Sequence, residues 1–130
     1  MEFLMYEKNI INKAINFVRV IRARLRGETE FVQETEQDFY HNIGNIAFDS
    51  GCYRWAMRNY KKMVKHDPED FLGYQRMADV FKEFGHIKEA REYYASALEK
   101  AKVFKNPNKR NVDVKESIIQ IKKELDSLKE

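Results

Sequence analysis

A chain of 130 residues with 43% hydrophobic, 13% aromatic and 35% charged side chains is long enough for one domain that buries roughly two-thirds of its unfolded surface. Five Gly and two Pro are too few for a many-turned β-sandwich, and nine Phe, seven Tyr and one Trp are core material that a disordered chain lacks. The single cysteine, Cys52, excludes an internal disulfide framework and a thiolate-only metal site. No uncharged apolar run approaches the roughly 18 residues of a membrane span, so neither a transmembrane segment nor peripheral membrane contact is expected. The formal charge of +3 is too small to name a partner, and no nucleic acid is expected. Residues 1–9 carry Glu2 and Glu7 and no basic region leading into an apolar run, so a cytoplasmic location is expected.

The first predicted element is a helix from about residue 3 to Arg26, stopped by Gly27. Ile10, Ala14, Phe17, Ile21 and Leu25 form its apolar stripe, which Ile11, Ile15 and Val18 widen. Residues 1–27 hold six Lys or Arg against two Glu, whereas residues 28–38 hold four Glu and one Asp with no base. The basic run Arg19, Arg22, Arg24 and Arg26 therefore has three readings: internal pairing with the acidic segment, a partner or oligomer surface that includes Ile11 and Phe17, or contact with lipid or nucleic acid. Internal pairing is favoured. Val32, Thr35, Phe39, Ile43 and Ile46 keep helical spacing from Glu30 onward, so a second helix from about 30 to 50 closes an N-terminal hairpin.

Shifted by 34 residues, 39–67 lies over 73–101: Tyr40 meets Tyr74, Gly51 meets Gly85, Ala56 meets Ala90, and Tyr60 meets Tyr94. Ile43 with Met77, Gly44 with Ala78 and Val64 with Leu98 are pairs of the same kind. A helical period of this length is the sign of stacked helix–turn–helix units. Gly51 and Gly85 stand where each unit must reverse, with the positive φ of a helix C-terminus. Ala56 and Ala90 open the second helices at a close crossing. Pro68 is expected to start the next helix from its first turn.

After the repeats, residues 104–111 read as a loop. Val114, Ile118, Ile121, Leu125 and Leu128 then mark an amphipathic helix over 112–129, with Lys115, Lys122, Lys123 and Glu124 available to its polar side. It is read as a cap, because two stacked units cannot bury their apolar faces alone.

Tyr40-x2-Ile43-Gly44, Ala56, Tyr60 and Pro68, followed by Tyr74-x2-Met77-Ala78-x2-Phe81, Ala90, Tyr94 and Ala97, resemble the tetratricopeptide repeat (TPR) family over two units at about 37–70 and 71–104. The chain departs from that pattern at Phe48, Met63 and Lys102. The expected architecture is a single all-α domain over 1–130. It comprises an N-terminal helical segment (1–36), a TPR-like helix–turn–helix solenoid of two units, and a capping helix (111–130).

The resemblance implies a non-catalytic scaffold that binds a partner protein or peptide on the concave face lined by the first helix of each unit. Carried onto this chain, that face holds Asp38, His41, Asn42, Asn45 and Asp49, then Leu72, Gln75, Arg76, Asp79 and Glu83. Asn42, Asn45 and Gln75 are amides that can hold an extended backbone, and Arg76 can take a carboxylate. Family members that clamp acidic chaperone tails use Asn, Lys and Arg there. Asn42 and Arg76 resemble part of that set, but Leu72 replaces the lysine, and Asp79 and Glu83 would repel such a tail. An adaptor, co-chaperone or assembly factor is the implied role. The alternative is a structural protein that oligomerises through its N-terminal helix.

Enzymatic chemistry, cofactors and a metal site are not expected. Cys52 and His86 fall at equivalent turns, so a separation of about 8–10 Å, one helix-to-helix distance, is expected, and a shared zinc needs bonds of about 2.0–2.3 Å. No glycine-rich phosphate loop is present.

Overall fold

The structure, a computed structural model, describes residues 15, 18, 19, 22, 36–106 and 112–128. Among the described residues five helices have defined bounds, in order α1 Glu36–Asp49, α2 Tyr53–His66, α3 Phe71–Glu83, α4 Ile87–Lys102 and α5 Val114–Ser127. Among the described residues there is no strand, so the chain is all-α. Two compact units divide it, Met1–Asn59 and Tyr60–Glu130. Most of the expected N-terminal helix, including Ile11, Phe17, Arg24 and Arg26, lies outside the described residues. Ile15, Val18, Arg19 and Arg22 are helical and exposed.

In the first unit α1 buries Ile43, Gly44 and Ala47 on one stripe, the positions at which apolar spacing places a helix face. Its end is a tight reversal. Gly51 adopts φ 81°, and its N–H donates to the Phe48 carbonyl at 3.0 Å while the Cys52 N–H reaches back to the Ala47 carbonyl at 2.8 Å. These bonds absorb the carbonyls that a helix C-terminus leaves without a partner. Phe48 packs on Tyr53 across the turn with ring centroids 5.3 Å apart.

The second unit repeats this turn bond for bond at the same 34-residue shift. Gly85 adopts φ 76°, its N–H donates to the Lys82 carbonyl at 3.0 Å, and the His86 N–H donates to the Phe81 carbonyl at 2.9 Å. Helix α4 packs on α3 and α5 packs on α4. Ala90, Tyr94, Ala97 and Ala101 form the fully enclosed seam of α4. Tyr93 joins it to α3 by stacking near Tyr74 and lying 5.1 Å from the Phe81 ring. Ile121 is the one residue of α5 that is fully enclosed, and Asp113 caps that helix by accepting the Glu116 N–H at 3.1 Å.

Pro68 does not start α3. It sits in the turn before the helix, and Asp70 is the N-cap, its carboxylate accepting the Leu72 N–H at 3.0 Å. The physical reason is that Asp70 is an N-cap side chain able to satisfy a first-turn amide, whereas proline only removes one. The close approach beside this start is at Gly73. A Cβ there would stand 2.8 Å from Val64 Cγ2, 3.3 Å from Met63 Cβ and 3.4 Å from the Val64 amide nitrogen. Rotating Val64 relieves only the first of these. Gly73→Ala is expected to cost up to about 2 kcal/mol, because overpacking of about 1–3 kcal/mol outweighs a helix-propensity gain of about 1 kcal/mol. Urea unfolding followed by circular dichroism measures it, and a stabilised variant would show that α2 and α3 have room to part.

Candidate functional site

Helix α1 carries the first five expected groove residues. Asn42 and Asp49 are exposed, and Asp38, His41 and Asn45 are half-buried. The period of the helix places Asp38, His41, Asn42, Asn45 and Asp49 on one side. The Asn45 amide donates to His41 Nε2 at 3.2 Å, one turn back, which orients both side chains along that side. These residues are polar, reachable from solvent at Asn42 and Asp49, and carry both donors and acceptors.

Helix α3 presents a different picture. Leu72 and Gln75, expected on an open face, are each only 5% exposed. Gln75 Oε1 is a buried acceptor without a donor, which costs about 1–3 kcal/mol. Arg76, expected to take a partner's carboxylate, instead lies 3.0 Å from Asp79 Oδ2 at i,i+3. Tyr94 on α4 donates its hydroxyl to Asp79 Oδ1. Glu83 is exposed at the end of the helix.

The electrostatics of this cluster follow from burial. Desolvation raises the Asp79 carboxyl above its ordinary value of 3.8, against the opposing pull of the Tyr94 hydroxyl and the Arg76 charge. The Tyr94 phenol is pushed far up by its own burial and by the Asp79 charge, so it stays a donor. Lys82 Nζ meets Glu124 Oε2 at 2.7 Å, and that hydrogen bond raises the lysine despite some desolvation. The pair fastens α3 to α5, so Glu124 is spent on the cap rather than left on a solvated face.

Several contributors are invisible to repeat spacing. Tyr94 reads as a packing aromatic, and its hydroxyl has a role only because α4 delivers it to Asp79. The Lys82–Glu124 pair spans 42 residues, beyond any local pattern. Gly73 falls opposite Phe39 in the 34-residue alignment, so the repeat carries no warning of it. The proposed oligomer or basic surface is described only at Arg19 and Arg22, both exposed.

Among the described residues no three of His, Cys, Asp and Glu stand close enough to hold a metal ion, and no helix is long and apolar enough to cross a membrane. Cys52 is an exposed free thiol in its turn. In comparisons with known proteins the chain matches no protein-family model and no curated protein.

Proposed function

We propose that the chain is a TPR-like helical-repeat scaffold, non-catalytic, that holds a partner protein or peptide on the first-helix faces of its repeats, as an adaptor, co-chaperone or assembly factor. The observation that carries this reading is the turn that recurs after 34 residues. It has glycine at positive φ in both copies and the same pair of reversing hydrogen bonds. Proteins built from repeated helix–turn–helix units use the surfaces of those units for binding.

One feature of the side chains supports it: Asn42 and Asp49 on α1 are open to solvent. Arg76 and Asp79 neutralise one another, so neither of these two charges is available to select a partner.

The test is affinity capture from native lysate, read by mass spectrometry, with wild type against Asn42→Ala/Asp49→Lys. Both positions are exposed, so the variant should keep its helical content. A partner held by wild type and at least about tenfold depleted with the variant is the expected result. Arg76→Glu is unsuited to this purpose, because it would set a second carboxylate beside the part-buried Asp79. Retention of the same proteins by both forms would overturn the α1 face as the site. Capture of further copies of the chain alone would move the interface to the N-terminal helix, where Ile15 and Val18 are 49% and 46% exposed.

A further inference from the structure

Helix α2 carries two arginines, three lysines and no acidic residue in the sequence YRWAMRNYKKMVKH. Its register sorts them. Ala56, Tyr60 and Met63 are buried, whereas Arg54, Trp55, Arg58, Lys61, Lys62 and Lys65 are exposed. Arg54, Arg58, Lys61 and Lys65 follow one another at intervals of 4, 3 and 4, a single stripe on an unbroken helix. Among the described residues these four form no salt bridge.

The fold does not demand this charge. At the corresponding positions of α4, 34 residues on, stand Lys88, Glu92, Ala95 and Glu99, all exposed. A mixed face keeps that helix soluble, so the unmixed one on α2 exceeds what solvation needs. The acids nearest in sequence to its C-terminus are occupied elsewhere. Asp67 Oδ1 accepts the Glu69 N–H at 3.1 Å and Asp70 Oδ1 accepts the Leu72 N–H at 3.0 Å.

We propose that this face of α2 binds single-stranded nucleic acid, the basic stripe following the phosphates and Trp55 stacking on a base. Three classes of anionic partner compete for such a stripe, and the neighbourhood of Trp55 separates them. Trp55 is 48% exposed, and the nearest exposed side chains on its helix are Arg54, Arg58 and Lys62. A protein interface surrounds its anchoring aromatic with apolar residues and is poor in lysine at its core. Nucleic-acid interfaces are far more positively charged, and single strands combine a cationic track with an aromatic platform. Insertion into lipid needs a free apolar face, and that of α2 is committed to the interior. Arg54 to Lys65 spans about 16 Å of helix, the run of about five phosphates in a stacked strand. The whole-chain charge of +3 conceals this patch, which is why composition alone does not point to it.

Trp55 is the chain's only tryptophan, so its fluorescence reports the site directly. The full chain is titrated with a thymidylate dodecamer at about 50 mM salt, and saturable quenching is expected, with affinity falling about a hundredfold by about 200 mM as four to five counterions are released. Arg58→Glu/Lys61→Glu should weaken binding more than about tenfold, and Arg58→Gln/Lys61→Gln by less in the same direction, at unchanged helical content. Lys115→Glu/Lys123→Glu on α5 changes the net charge equally and should leave affinity within about twofold. Trp55→Ala, read by anisotropy of a labelled dodecamer, should weaken it about tenfold. The proposal is overturned by absence of quenching, by an equal loss in the α5 variant, or by Trp55→Ala without effect. It is equally overturned if a polyglutamate peptide or phosphatidylserine vesicles bind as tightly as the oligonucleotide.

Discussion

Phe71→Ala is expected to lower the unfolding free energy by about 4 kcal/mol, within the range of about 3–5 kcal/mol seen when a buried phenyl ring is deleted. Phe71 is the first residue of α3 and has no exposed surface. The Phe104 ring, beyond the end of α4, meets it edge-on at 5.2 Å and 80°. The side chain is therefore fully enclosed and covered by a ring more than thirty residues away in sequence, which gives the cavity left by alanine little freedom to collapse. Phe71→Leu keeps most of the volume and should cost about 1–2 kcal/mol. In a double-mutant cycle with Phe104→Ala, the ring pair should contribute a coupling of about 0.5–1.5 kcal/mol. Urea unfolding followed by circular dichroism measures all three. A cost for Phe71→Ala below about 1 kcal/mol would show that the end of α3 is not anchored by this ring.

The two glycine turns are the part of this molecule most legible in the sequence, and the reason is local. Gly51 and Gly85 are needed because their φ values of 81° and 76° lie where a Cβ is penalised by about 1–2 kcal/mol. A turn of that kind leaves the same mark each time it recurs. Ala56, Ala90, Tyr60 and Tyr94 are equally readable, since each stands at the same buried position in successive helices. The all-α class and the terminal amphipathic helix follow from the same periodicity, with α5 observed over Val114–Ser127.

What escaped the sequence depends on contacts that no period encodes. Leu72 and Gln75 follow the expected face by register, yet they are buried, because a helix face is polar or apolar according to what packs on it. Arg76 is taken by Asp79 three residues on, a pair visible in sequence only once the helix is known to begin at Phe71. Over residues 39–70 the stripe on α2 is offset by Asp49, Asp67, Glu69 and Asp70. Those acids lie outside the helix, two of them holding the backbone of the next turn, so net charge over a block cannot stand for the charge of a surface.

Tyr94→Phe should destabilise the chain by about 2 kcal/mol where Asp79 is ionised and by about 1 kcal/mol where it is protonated, because a hydrogen bond to a charged acceptor is worth about twice a neutral one. Tyr94 is fully buried and its hydroxyl donates to Asp79, so the phenylalanine variant removes a donor and little volume. The dependence on pH follows from the direction of the Asp79 shift. Burial raises its carboxyl in the folded chain above the ordinary 3.8, so the folded state binds this proton more tightly than the unfolded state. The group's contribution to stability is thus fully present below about pH 3.9, the unfolded value, and is lost as pH rises through the folded one. Above that it is constant. Removing the Tyr94 donor, which favours the ionised form, lifts the folded value further and extends the loss to higher pH. Phenol ionisation does not enter, because Tyr94 is itself held protonated by burial and by the Asp79 charge. Urea unfolding of both forms from about pH 3.5 to about pH 8 isolates the effect, since every other carboxylate cancels in the difference. A penalty that does not change with pH would mean that Asp79 carries the same charge throughout that range. A penalty near zero would mean that the α3–α4 contact is held by apolar packing alone.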